Sequence, residues 1–241
     1  HQGEAGQAAG SSAFTSGVQL GTSVIEDNVR ILSSGGDIKI AGKSNRYSAI
    51  NMISGTRIES ELGEIELYGL RYGSNANDTI RINRSGGTVF GSHIISKSLA
   101  SPAVKITAEN DSTGNGWAFY WHESSNPVAD QSKASNLIGF GGIEIDADSK
   151  NYRHSTIFRG VNVLAKQGSI DIDTKGKDIY LSGDSARYTF FGSLAGSMVP
   201  TSTADINFTV GEISQPNYAW FNSAGALSVV PSGTSFVNNL Y

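Results

Sequence analysis

The stretch Val161-Asn162-Val163-Leu164-Ala165-Lys166-Gln167-Gly168-Ser169-Ile170-Asp171-Ile172 reads as a strand, a turn and a second strand, with a glycine just ahead of the second. In general form it is an apolar residue, four others, glycine, one residue, apolar, one residue, apolar. Ile31 with Gly36, Ile38 and Ile40 repeats it, as do Ile58 with Gly63, Ile65 and Leu67, Ile82 with Gly87 and Val89, and Trp220 with Gly225, Leu227 and Val229. Gly141, Ile143 and Ile145 keep its second half, and Gly114 and Gly196 fall into the same register without good strands after them. The glycines are then 27, 24, 27, 27, 27, 28 and 29 residues apart. A repeat of this length marks stacked units, none of which can bury its apolar side alone. Its period is two, which is that of strand. The pattern predicts an all-β, single-stranded parallel β-helix of about eight coils with irregular loops, in which Ile38, Ile65, Ile143 and Ile170 form one buried column. An ordinary β-sandwich is the alternative, and the near-constant step argues against it.

Composition agrees with a stacked β fold. Among 241 residues there are 29 glycines, 5 prolines and no cysteine, and only 17% of residues are charged. Gly, Ser, Asn and Asp supply turns, while Ile, Val and Leu supply strands. The net charge of −4 is dispersed, with no basic stripe for a nucleic-acid partner. No apolar run approaches the ~20 residues that span a bilayer, so no membrane insertion is expected. A chain without cysteine also suits export through a bacterial envelope, where a disulfide would hinder threading.

Read in order, residues 1–16 are small, polar and aperiodic, and the expectation is a loose lead-in or an added remnant. Residues 17–241 are read as one β-helix domain with a loop insertion near 109–135, where the pattern breaks. That region holds Trp117, Phe119, Tyr120, Trp121 and His122, followed by a polar run up to Leu137. A second irregular patch lies between Phe190 and Pro200, and aromatic residues replace aliphatic ones in the last copy.

The segments GGDIKIAG and VNVLAKQGSIDID resemble the repeats of filamentous-haemagglutinin-like and high-molecular-weight adhesins, the large bacterial exoproteins of two-partner secretion. The likeness rests on residues 29–42, 56–69 and 157–183. It implies a right-handed β-helix, a secreted or cell-surface location, an adhesive role and an outer-membrane transporter for export. Such families also carry an Asn-Pro-Asn motif in an N-terminal secretion domain. Here Asn126-Pro127 is followed by Val128, so an internal or distal segment is expected. Contact-dependent toxin-delivery fibres share the same kind of stem.

Chemistry-bearing motifs are sparse. His1, His93, His122 and His154 have no metal-ligand spacing and are read as surface or turn residues, and no nucleophile elbow, P-loop or dinucleotide fingerprint occurs. No cofactor, metal or catalytic residue is assigned. Glu144 and Asp171 share one position of the repeat, and Asp146 and Asp173 another, so like charges should meet between coils. An acid pair or a Ca²⁺ site competes there with a solvated acidic face, which Lys39 and Glu66 in the same column favour. Trp117, Tyr120, Trp121 and His122 are the candidate ligand-binding residues, on a loop leaving the rod. Against this, Trp117, Phe119 and Trp121 share one parity and could point inward, leaving Tyr120 and His122 outside. The expected function is a non-enzymatic adhesin that attaches to a protein or glycan receptor on host or neighbouring cells. A glycan-degrading β-helix enzyme, lyase or hydrolase, is the alternative.

Overall fold

The structure is a computed structural model that describes residues 2–5, 16–21, 29–53, 55–83, 91–123, 134–182, 188–193, 202–214 and 219–231. All its regular structure is β-strand, in three sheets paired in parallel throughout. The first sheet runs Gln2–Ala5, Ile38–Ser44, Ile65–Arg71, Val104–Asn110, Ile143–Ser149, Ser169–Asp173, Asp205–Val210, Leu227–Pro231. The second runs Val18–Leu20, Ile50–Ile53, Ile80–Asn83, Phe119–His122, His154–Arg159, Asp178–Ser182, Ile213–Ser214. The third runs Arg30–Ser33, Arg57–Ser60, His93–Ser96, Ser135–Gly139, Val161–Ala165, Thr189–Phe191, Ala219–Phe221. Every third strand returns to the same sheet, so the chain winds as a solenoid with one strand per sheet in each coil.

Alternation builds the core. Ile65–Arg71 is buried at every second residue, as are Val104–Asn110 and Ile143–Ser149. The inward residues stack in register as Ile38, Ile65, Val104, Ile143, Ile170 and Ile206, with Ile40, Leu67, Ile106, Ile145, Ile172 and Phe208 beside them. The expected isoleucine column is therefore present, with Val104 completing it.

The repeating glycine has a steric cause. Each coil's corner between the third and first sheets sits on the corner before it. A Cβ on Gly63 would lie 2.2 Å from the carbonyl oxygen of Gly36, and one on Gly168 would lie 2.2 Å from that of Gly141. Gly168 also has φ +79°, a conformation that disfavours side chains. Ser60 closes the same corner: its hydroxyl accepts from Gly63 N at 2.9 Å and donates to Gly36 O at 3.2 Å.

The constant step does not hold through the middle of the chain. Successive positions of the first column, from Ile38 to Leu227, are 27, 39, 39, 27, 36 and 21 residues apart. Between Gly63 and Gly141 there are two long coils where the glycine spacing implies three short ones. Ile82, read as a third copy, belongs to the second sheet, between Met52 and Trp121. The corner before Val104 is formed by Ser101-Pro102 rather than by a glycine. Gly87, Val89 and Gly196 lie outside the described residues. Gly114 packs instead against the backbone of Asn75 and Ala76, between the first and second sheets. Trp220 points outward, and its neighbour Phe221 takes the inward place on Phe191. Gln2–Ala5, within the expected lead-in, pairs with Ala41–Ser44 at the edge of the first sheet.

Candidate functional site

The expected acidic columns exist. Glu144 stands beside Asp171, and Asp146 beside Asp173. Lysines neutralise much of that charge. Lys39 pairs with Glu66 at 2.9 Å, Lys105 pairs with Glu144, and Lys175 reaches Asp146 at 2.9 Å and Asp173 at 2.7 Å. The hydrogen bonds to Asp173 and Asp146 hold the Lys175 ammonium above the usual lysine value, against its partial burial. Asp171 accepts from Asn207 Nδ2 at 2.8 Å. The outside of the first sheet is a self-paired ionic surface.

The second sheet carries a different outer face. Two backbone irregularities shape it. Ala118 and Phe119 are both buried, which breaks the alternation and throws Trp117 onto the outside. In the next coil a bulge between His154 and Thr156 buries Ser155 and Thr156 together and leaves His154 facing out. Trp117 N is also hydrogen-bonded to Asp78 Oδ1 at 3.2 Å. Trp117 then stacks on His154 at 5.3 Å and meets the edges of Tyr152 at 5.4 Å and Tyr180 at 5.9 Å. Beyond them, Tyr120, Ile157 and Tyr180 occupy one outward row, and His122, Arg159 and Ser182 occupy the next.

These residues line an open hollow of about 340 Å³. Ile157 forms its floor; it sits on the outer side of the sheet yet is 6% exposed, because the rings beside it cover it. Tyr120 stacks on His122 at 5.6 Å, and the Arg81 guanidinium lies 5.4 Å from the Tyr120 ring. Arg159 Nη1 is 2.9 Å from His122 Nε2. Burial raises the Tyr120 phenol above its ordinary value, aided by Asp78, so it stays protonated as a hydrogen-bond donor. Burial also lowers His154, outweighing the pull of Asp178, so the 3.6 Å contact between them is not an ion pair at neutral pH. Asp178 is instead held by Arg153, which also reaches Glu212 at 2.6 Å.

Of the four residues singled out in the sequence, three meet here: Trp117, Tyr120 and His122. Trp121 is corrected. It lies fully buried among Phe119 and the second-sheet aliphatics, and its indole N–H donates to buried Glu123 at 3.1 Å, so no ligand outside can reach it. Trp117 does not share its inward course. Of the loop expected near 109–135, Glu109 and Asn110 end one strand, Phe119–His122 form another and Ser135 opens a third; Glu123 and Ala134 are buried, and residues 124–133 lie outside the described residues. Sequence reasoning missed Tyr152, His154, Arg159 and Tyr180, which come from two later coils. Their signal was parity within each strand, readable only once the coils are in register. No protein-family model, no curated protein and no solved structure matches this chain.

Proposed function

We propose that this chain is a segment of a secreted bacterial surface adhesin: a right-handed parallel β-helix of close to eight coils that attaches to a receptor on host or neighbouring cells. The full-length chain would leave the cell through an outer-membrane transporter. The secretion, the transporter and the adhesive role rest on the likeness of residues 29–42, 56–69 and 157–183 to exoprotein repeats. Handedness is supported by the right-handed twist that governs parallel crossovers.

The observation that carries the binding role is the half-buried aromatic face of Trp117, Tyr120, Tyr152, His154 and Tyr180. The core beneath is already filled by Phe119, Trp121 and Phe158, so these rings are not needed to close it. Aromatic residues around a shallow concavity are the usual makings of a recognition surface. The test is attachment of fragment-coated beads to cells, with the Tyr120→Ala, Tyr180→Ala double variant as comparison. Attachment by the parent and at least a tenfold loss in the variant is the expected result. Beads that never attach, or a variant as adhesive as the parent, would reduce the segment to a spacer.

A second reading, glycan cleavage, draws on two contacts of His122. His122 lies between Tyr120 and Arg159, which places an imidazole, a phenol and a guanidinium together at the mouth of the hollow. Incubation with a panel of acidic polysaccharides separates the two, since release of new reducing or unsaturated ends requires an enzyme.

A further inference from the structure

Resting on the binding role just proposed, we infer that the hollow takes the uncharged terminal hexose of a glycan, seated on Ile157 between the tyrosines. Three observations carry this. The first is shape. Tyr120, Ile157 and Tyr180 are ladder partners in successive coils, so the two tyrosines stand roughly 10 Å apart with the shorter Ile157 between them. Trp117 meets both, with ring centroids 6.5 Å from Tyr120 and 5.9 Å from Tyr180, and walls a third side. A volume of about 340 Å³ is at the small end for ligand pockets, and a space walled by rings on three sides suits the end of a glycan better than its middle.

The second observation is charge. Among the described residues that line the hollow none is a carboxylate, and the guanidinium of Arg159 is engaged, with Nη1 2.9 Å from His122 Nε2. Charges just outside the lining are paired as well: Asp178 with Arg153, and Arg81 with buried Asp78 at 3.9 Å. Burial keeps His154 neutral at ordinary pH. An ionic sugar would leave water for a site whose charges are already spent on one another, a desolvation cost that an uncharged hexose escapes.

The third is the hydrogen-bonding rim. Among the described residues, nothing bonds the Trp117 indole N–H, the Tyr120 and Tyr152 phenols or the Ser182 hydroxyl. These are neutral donors and acceptors around an apolar floor, the complement of hydroxyls carried on C–H faces. A proline-rich segment also favours aromatic grooves, but at about 3.1 Å per residue it needs a trough open at both ends. Trp117, stacked on His154, stands across one of them.

The experiment titrates the fragment with oligosaccharides ending in glucose, galactose or mannose, each beside the same glycan with that end unit oxidised to its uronic acid, and with a proline-rich peptide. The expected result, on the unmodified protein, is at least one neutral glycan bound at least tenfold more tightly than its acidic counterpart, with an affinity that does not change with ionic strength. The Tyr120→Phe, Tyr152→Phe double variant keeps both rings and removes both hydroxyls; it should melt like the parent and bind that glycan at least fivefold more weakly. Equal or tighter binding of the acid, affinity that falls with salt, an unweakened double variant, binding of the peptide alone, or no sugar bound at all overturns the inference. Bead attachment that persists in any of those cases leaves the adhesive reading standing with another receptor, so the two can fail separately.

Discussion

On the outside of the first sheet, lysine meets carboxylate from coil to coil; on the outside of the second, aromatic rings meet one another. Both faces rest on the same alternating parallel strands and the same inner ladders. The ionic face satisfies itself, because Lys39, Lys105 and Lys175 each find an acid one coil away or less. The aromatic face leaves a hollow that nothing in the described chain fills. Stacking identical strand geometry therefore does not decide what a face does. The side chains in the outward columns do.

The comparison is broken most severely from beneath. Ile65→Asp puts an unpaired charge between Ile38 and Val104 and should cost more than about 4 kcal/mol, as read in a thermal melt, whereas Glu66→Ala next to it should cost less than about 1 kcal/mol. A melting temperature for Ile65→Asp within a degree or two of the parent would refute the register. Next comes the pair that separates core from surface within one strand. Trp121→Ala should cost about 3–5 kcal/mol, the usual loss for a buried aromatic residue, without changing the chemistry of the hollow. Tyr120→Ala should cost about 1 kcal/mol and lower ligand or cell binding. Equal destabilisation by the two would mean that the tyrosine, too, belongs to the core.

The third sheet sharpens the contrast, since its outer ladder is neither ionic nor aromatic in its middle coils. Asn136 donates to Ala134 O at 3.1 Å, which orients its amide, and the same nitrogen lies 2.9 Å from His93 Nδ1. Its oxygen accepts from Asn162 at 2.8 Å. His93 Nδ1 must therefore be the acceptor, and the imidazole neutral. Burial, with repulsion from Arg57, lowers its pKa from 6.5 to about 4. The unfolded chain takes that proton first. Stability should be intact above pH ~6.5, fall as pH drops towards ~4, and level off below, for a total of about 3 kcal/mol. His154, also lowered, adds in the same direction. His93→Gln should flatten most of the dependence in melts taken between pH 7 and pH 4; an unchanged slope would place its origin elsewhere.

The smallest effect tests the ionic face. Lys175→Ala should cost about 0.5–1 kcal/mol, because the pair it bridges is part-exposed. With Lys175 in place, Ca²⁺ and chelator should leave the melting temperature of the parent unchanged. A rise on adding Ca²⁺ would show that the Asp146–Asp173 pair prefers a cation to the lysine.

How much of this was legible follows from the corners. Ile38, Ile65, Ile143 and Ile170 could be placed in one column because a glycine precedes each, and at Gly63, Gly141 and Gly168 contact with the coil before excludes a side chain. Where Ser101-Pro102 replaces that glycine the repeat disappears from view, and the pair Gly86-Gly87 after a second-sheet strand imitates it. The extra residues of the two long coils fall between ladder strands, chiefly between Asn83 and His93 and between His122 and Ser135, and the ladders themselves stay in register. At the site, parity correctly set Tyr120 and His122 outside, but Trp117 escaped it through the two consecutive buried residues after it. Tyr152, His154 and Tyr180 could not be joined to it from spacing alone, because their coil neighbours had been miscounted.

The hollow crosses coils rather than lying on a loop. Trp117 and Ser182, both in its lining, are 65 residues apart in sequence, and the chain between them makes two complete circuits. A coil in a solenoid is held mainly by its immediate neighbours. Traction on a receptor seated across three of them would be shared among three coils and the main-chain bonds between them, with no single hinge to yield. The same ligand would oppose the peeling of any one coil from the next, so that load and grip reinforce each other along the rod.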